Sequence, residues 1–222
     1  MSRFFDVQAR FRDRRDAGQQ LAERLEPYRQ ARPVVFAIPR GGVPVGAEVA
    51  RGLNAELDVV VARKLGAPFQ AELALGAVTS DGERFLNDEI ISQLGVDDAY
   101  LDQVTREQGD EARRRERRFR GGRPPAAVEG RTVLLVDDGL ATGATMRAAA
   151  RSLRKRAPGR LVVAVPVGSR EACMALREDA DEVICLAQPE PFYAIGLHYQ
   201  SFEQVDDAEV IALLQQPVAA DR

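Results

Sequence analysis

Metal and redox chemistry have little to work with in this sequence. It contains two cysteines, Cys173 and Cys185, in apolar surroundings and without CxxC spacing, and one histidine, His198. They cannot be assembled into a zinc-like ligand set, and the two thiols read as buried residues rather than as a disulfide or a site. An excess of positive charge is also missing: the net charge is −3, which argues against a globally basic nucleic-acid-binding domain. No apolar run approaches the roughly 18 residues of a membrane span, and the polar, arginine-rich beginning of the chain holds no signal-peptide core. The protein is therefore expected to be soluble and cytoplasmic. The GxxxxGK[ST] pattern of nucleotide triphosphatases does not occur either.

What is present is core material. Of 222 residues, 45% are hydrophobic, enough for one large α/β domain with a small lid. An N-terminal stretch within residues 1–30 places Phe4, Val7, Phe11, Ala17, Leu21, Leu25 and Tyr28 at mixed three- and four-residue spacing. It predicts a helix over about 16–28 that covers one face of a sheet. Strands are predicted over 34–38, 57–62, 72–78, 84–86, 133–136, 161–165 and 183–186. Helices are predicted over 47–52, 87–94, 97–118, 147–153, 170–178 and 206–215, the last capped by Asp206 or Asp207. That order gives a single domain over 1–222, with a mostly parallel twisted sheet flanked by crossover helices.

The chemistry concentrates in residues 133–145, VLLVDDGLATGAT. An apolar strand ends in two carboxylates, Asp137 and Asp138, followed by a turn containing Gly139, Ala141, Thr142, Gly143, Ala144 and Thr145 and then a helix. Such a turn can aim successive backbone N–H groups at an anion, and the helix N-terminus adds its positive end. A second strand-to-helix turn holds Arg40, Gly41 and Gly42. Paired glycines there indicate close backbone approach, and two anion-suited turns on one sheet edge imply a ligand phosphorylated at both ends.

Strand, acid pair, small-residue turn and helix together resemble the signature of the type I phosphoribosyltransferases. The sequence looks most similar to stand-alone bacterial members whose acceptor is unsettled. The resemblance implies that Asp137 and Asp138 hold the ribose hydroxyls of 5-phosphoribosyl 1-diphosphate and share Mg²⁺ with it. It implies that 141–145 hold the 5′-phosphate, with Gly139 in the same loop, and that Arg40, Gly41 and Gly42 face the diphosphate. Arg63 and Lys64, with the excursion to residue 83, match the family's mobile loop, and Lys64 would help neutralise the departing diphosphate. Residues 183–205 would contain the hood, where Phe192 or Tyr193 stacks on a planar acceptor. The implied activity is transfer of the phosphoribosyl group to a small nitrogen-containing acceptor, with a nucleobase as one candidate, in a homodimer. Gly139, Leu140 and Ala141 occupy positions where several relatives place a further acid. The motif thus specifies the donor and leaves the acceptor open.

Two features admit other readings. His198 is either a proton-handling group near the acceptor or a histidine packed at the hood edge, and packing is favoured. Arg113, Arg114, Arg115, Arg117, Arg118 and Arg120 are either an RNA-binding face or a solvated helix neutralised by Glu107, Asp110, Glu111 and Glu116. With only Phe119 interleaved, the second is favoured and nucleic acid is not an expected partner. The functional alternative is a non-catalytic, regulatory nucleotide sensor on the same fold, with RNA as a conceivable partner.

Overall fold

The computed structural model describes residues 9–216. Phe4 and Val7, and the 217–222 tail, lie outside the described residues.

Asp13 caps α1 (Arg14–Leu25) by accepting from Asp16 N at 2.9 Å, and a 3₁₀ turn (Glu26–Ala31) with Pro27 in its first positions ends it. Then follow β1 (Val34–Ala37), α2 (Gly42–Leu53), β2 (Glu56–Val59), β3 (Ala62–Ala67), β4 (Gln70–Thr79) and β5 (Arg84–Leu86). The remainder is α3 (Asp88–Leu94), α4 (Asp98–Arg120), β6 (Thr132–Val136), α5 (Ala144–Lys155), β7 (Arg160–Val167), α6 (Arg170–Ala175), β8 (Glu182–Ala187) and α7 (Asp207–Leu214).

The main sheet is parallel with order β2-β1-β6-β7-β8. Its central strands are apolar on both faces because helices cover both. Val34, Phe36, Val133, Leu135 and Val163 pack with Met146, Ala149 and Leu153 of α5. Val35, Leu134, Val136 and Val162 pack on the other face with Leu21 and Leu25 of α1 and Val45 and Val49 of α2. The N-terminal helix thus covers one face, as its spacing predicts. Asp206 caps α7 by accepting from Glu209 N at 2.8 Å.

The predicted strand over 57–62 does not exist as one element. The chain leaves the main sheet after β2, whose neighbour Val60 donates to Ala37 O at 3.2 Å, and begins a separate antiparallel sheet β3-β4-β5. The break is made by α4: Glu116 accepts the Val61 N–H at 3.3 Å, and buried Asp58 accepts from Arg120 Nε at 2.9 Å and Ala126 N at 2.8 Å. A continuous apolar run conceals such a break because both halves are buried. Several helices also differ in extent: α1 spans 14–25 rather than 16–28, α2 starts at Gly42 rather than at 47, α5 spans 144–155 rather than 147–153, and the stretch 170–178 closes as a 3₁₀ turn (Leu176–Glu178).

The arginines of α4 are largely paired. Arg113 meets Asp110, Arg114 and Arg115 meet Glu111, Arg118 meets Asp207, and Arg120 meets Glu116 and Asp58. Glu107 instead accepts from Gln103. The second sheet is tethered to α5: Asp81 accepts from Ser152 Oγ at 2.8 Å, Lys155 pairs with Glu83, and the guanidinium carbons of Arg147 and Arg151 lie 4.5 and 5.1 Å from the Phe85 ring centroid. Cys173 is buried and Cys185, expected to be buried too, is only half-buried; both are free thiols.

Candidate active site

The order in which strands are added to the parallel main sheet reverses between β1 and β6. From β1 the chain crosses through α2 to β2 on one side, and from β6 it crosses through α5 to β7 on the other. Loops leaving the carboxyl ends of two such neighbours diverge to opposite faces and open a crevice, the usual ligand position in open α/β sheets. Ala37 is paired with Val136, and Ile38 N donates to Val136 O at 3.0 Å. This register sets the turn after β1 beside the acid pair after β6.

The two turns touch. A methyl on Gly41 would fall within the van der Waals shell of Asp138 Oδ2, 2.7 Å from its Cγ, and one on Gly42 would lie 2.9 Å from Asp137 Oδ1. Both positions therefore require glycine for space, not for positive φ. Asp137 Oδ1 accepts from Asp138 N at 2.8 Å. Burial and the neighbouring Asp138 charge hold the Asp137 carboxyl well above the usual range. Burial also raises Asp138, opposed by the Arg14 guanidinium. Two carboxylates crowded in this way favour a ligand that brings cations or hydroxyl donors.

The turn beyond the pair is anchored to β7. Leu140 N donates to Val167 O at 2.9 Å, Ser169 N donates to Leu140 O at 2.8 Å, and Ser169 Oγ donates to Ala141 O at 2.9 Å. Gly143 takes φ +81°, a conformation glycine adopts without strain, and α5 follows at once. Its first helical bond is Arg147 N to Gly143 O at 2.8 Å, so earlier amides of the turn have no intrahelical acceptor. Thr142 is exposed, Thr145 half-buried, and Ala144 opens the helix.

Other predicted residues are less centrally placed. The Arg40 guanidinium lies 3.7 Å from Asp207 at the start of α7. Lys64 is exposed on β3 and shares a cavity with Arg63, Tyr100, Gln108 and Thr145. Arg63 donates to Gln108 at 3.1 Å. Phe192 stacks on His198, with ring centroids 5.7 Å apart, while Tyr193 is exposed. His198 is buried, burial lowers its pKa, and its carbonyl accepts from Arg10 N and Phe11 N, both at 3.0 Å. That is the packed arrangement. Residues 183–187, grouped above with the hood, are the edge strand β8, and the loop beyond it is closed by the N-terminal segment: Gln200 N donates to Phe11 O at 2.8 Å.

Three residues were not predicted for the site. Arg14 donates from Nε to Asp138 Oδ2 at 2.8 Å, Tyr199 donates its hydroxyl to Asp138 O at 2.5 Å, and Ile195 Cγ2 would lie 2.5 Å from a methyl on Gly139. Each reaches the motif from a distant part of the chain, and no local pattern marks any of them. Among the described residues no group of three or more His, Cys, Asp or Glu side chains could hold a metal ion. Two adjacent carboxylates remain, a hard-oxygen pair suited to Mg²⁺ that also keeps phosphate ligands.

The profile of the family described as Phosphoribosyl transferase domain matches residues 2–201. A Mycobacterium tuberculosis protein, Rv0571c, provisionally named a phosphoribosyl transferase, is 48% identical over 204 residues; the match covers 92% of this chain and 46% of that protein. The chain thus spans about half the length of the curated relatives it matches. The crystal structure of TT1426 from Thermus thermophilus is similar at 49% identity and a TM-score of 0.78, covering 92% of this chain and 97% of that one.

Proposed function

Because the chain belongs to the phosphoribosyl transferase domain family and has its α/β fold, we propose that it moves the 5-phosphoribosyl group from 5-phosphoribosyl 1-diphosphate to a small nitrogen acceptor, releasing diphosphate. One observation carries this reading: the Gly41–Gly42 turn lies in contact with the Asp137–Asp138 pair where the strand order reverses. A sugar carrying phosphate on one side and diphosphate on the other matches that spacing of two anion-suited turns around a hydroxyl-accepting pair.

In this mechanism the amides of 141–145 and the start of α5 bind the 5′-phosphate, and Gly139 keeps the turn close to the pair. Asp137 and Asp138 accept the ribose hydroxyls through charge-assisted hydrogen bonds. The Gly41 and Gly42 amides receive the diphosphate, and Arg40 swings to it from Asp207, an ion pair too long to hold it firmly. Mg²⁺, held by Asp137 and Asp138 together with the donor's oxygens, would supply charge neutralisation on the diphosphate. The C1′–O bond breaks with its electron pair leaving on diphosphate, and the acceptor nitrogen's lone pair forms the C1′–N bond. Negative charge develops on the leaving group, so Arg40 and Lys64 act where stabilisation is most effective. The β3–β4 hairpin serves as the lid that excludes water. Phe192 is engaged by His198, and Tyr193 is the more exposed ring, the one a planar acceptor would meet.

The proposed assembly is a homodimer and the proposed compartment the cytoplasm; among the described residues no helix is long and apolar enough to cross a membrane. Purines, pyrimidines and small amines should be screened with 5-phosphoribosyl 1-diphosphate and Mg²⁺ by diphosphate release. At least one nitrogen acceptor should turn over, and Asp137→Asn with Asp138→Asn should abolish it. Silence with every acceptor, together with no thermal stabilisation by the donor, would sink the proposal.

A further inference from the structure

Arg14 and Asp138 are 124 residues apart in sequence, yet Arg14 Nε donates to Asp138 Oδ2 at 2.8 Å and each side chain keeps only 12% exposure. The guanidinium is held from two more directions. Its NH1 donates to Glu203 O at 2.7 Å, and its carbon lies 3.8 Å from the Phe202 ring centroid. Gly41 forms the remaining wall, since a methyl there would lie 3.3 Å from Arg14 Nε. A planar guanidinium fixed in this way imposes a direction on its carboxylate partner that a point charge would not. The contact uses one lone pair of Oδ2. A carboxylate has about four acceptor positions, so this one bond leaves acceptor capacity on Asp138.

We propose, resting on the donor reading above, that Arg14 is a positioning residue of the donor site, fixing the Asp138 carboxylate in the orientation that receives a ribose hydroxyl. Without it Asp138 Oδ2 loses the guanidinium that fixes its direction. Arg14 is not needed merely to attach α1 to the loop after β8. Main-chain bonds Phe11 N to His198 O at 3.0 Å, Gln200 N to Phe11 O at 2.8 Å and Ser201 N to Arg12 O at 2.8 Å already do that.

The test uses the full chain with Arg14→Met, which keeps length and loses the fork, and Arg14→Lys, which keeps the charge. Calorimetry is run against 5-phosphoribosyl 1-diphosphate with Mg²⁺ and against inorganic phosphate without it, a ligand for the 141–145 turn that has no ribose and calls on neither Asp138 nor the metal. Arg14→Met should weaken donor binding about tenfold to a hundredfold, the range for a lost hydrogen bond to a charged group, and leave inorganic phosphate binding within about threefold. Arg14→Lys should recover part of the loss. In turnover assays the donor KM should rise more than kcat falls. Equal losses for both ligands would mean general disruption and would overturn the inference, as would unchanged or tighter donor binding by Arg14→Met, or no rescue by lysine. Failure of the unsubstituted protein to bind the donor would bring down the donor reading and this inference with it. Normal wild-type binding alongside an indifferent Arg14→Met would bring down this inference alone.

Discussion

At the β1–β6 edge the chain has no room for a methyl group on Gly41 or Gly42, whereas the loop after β8 leaves Tyr193, Leu197 and Phe202 exposed. The first region is built from two hydrogen-bonded strands whose register fixes the turns that follow them. The second is built from a loop closed by the N-terminal segment. In the proposed function this contrast would let one scaffold keep a single donor while acceptors change: the donor would meet backbone placed by the sheet, and the acceptor side chains that the sheet does not position.

Four substitutions would break or sharpen that contrast. Gly41→Ala should have the largest effect, since its methyl overlaps the Asp138 carboxylate. Donor affinity measured by calorimetry should drop more than about a hundredfold, with about 1–3 kcal/mol lost in denaturant unfolding from overpacking. Tyr199→Phe comes next: it strips the hydrogen bond from Asp138 O, and an unsatisfied buried carbonyl costs about 1–3 kcal/mol, read as a lowered Tm with a raised donor KM. Tyr193→Ala should raise the acceptor KM, leave the donor KM unchanged and move stability by no more than about 0.5 kcal/mol. A changed donor KM in that variant would erase the distinction between the two regions. Gly109→Ala is the smallest and has the opposite sign. A methyl there makes only ordinary contacts at 3.9 Å, so α4 should gain up to about 1 kcal/mol and Tm should rise with no change in either KM.

The strand, acid pair, turn and helix over residues 133–145, to which the donor is assigned by proposal, were legible as local structure because they are contiguous and each has a local signature. The Arg40–Gly42 turn was legible for the same reason, although the ion-pair neighbour of Arg40 is Asp207, which nothing near Arg40 in sequence points to. The boundary after β2 was hidden because Val59, Val60, Val61 and Ala62 are all buried, and the side chains that hold the chain at the break, Glu116 and Arg120, come from distant α4. Phe192 and Tyr193 looked equivalent in sequence; their exposure separates them, Phe192 being half-buried and Tyr193 exposed. Arg14 sits among other arginines of a polar helix start, and nothing near it in sequence refers to Asp138.

The clamp on Asp138 also bears on the order in which the protein becomes competent. Arg14 joins residues 138 and 203, contacts spanning 124 and 189 positions. Closing such long loops carries an entropy cost that slows folding. During synthesis, β1 and β6 can pair as soon as residue 136 has emerged from the ribosome, but Glu203 must follow before the guanidinium is seated. A chain arrested between those points would carry the recognisable motif with the Arg14 guanidinium lacking its Glu203 and Phe202 contacts.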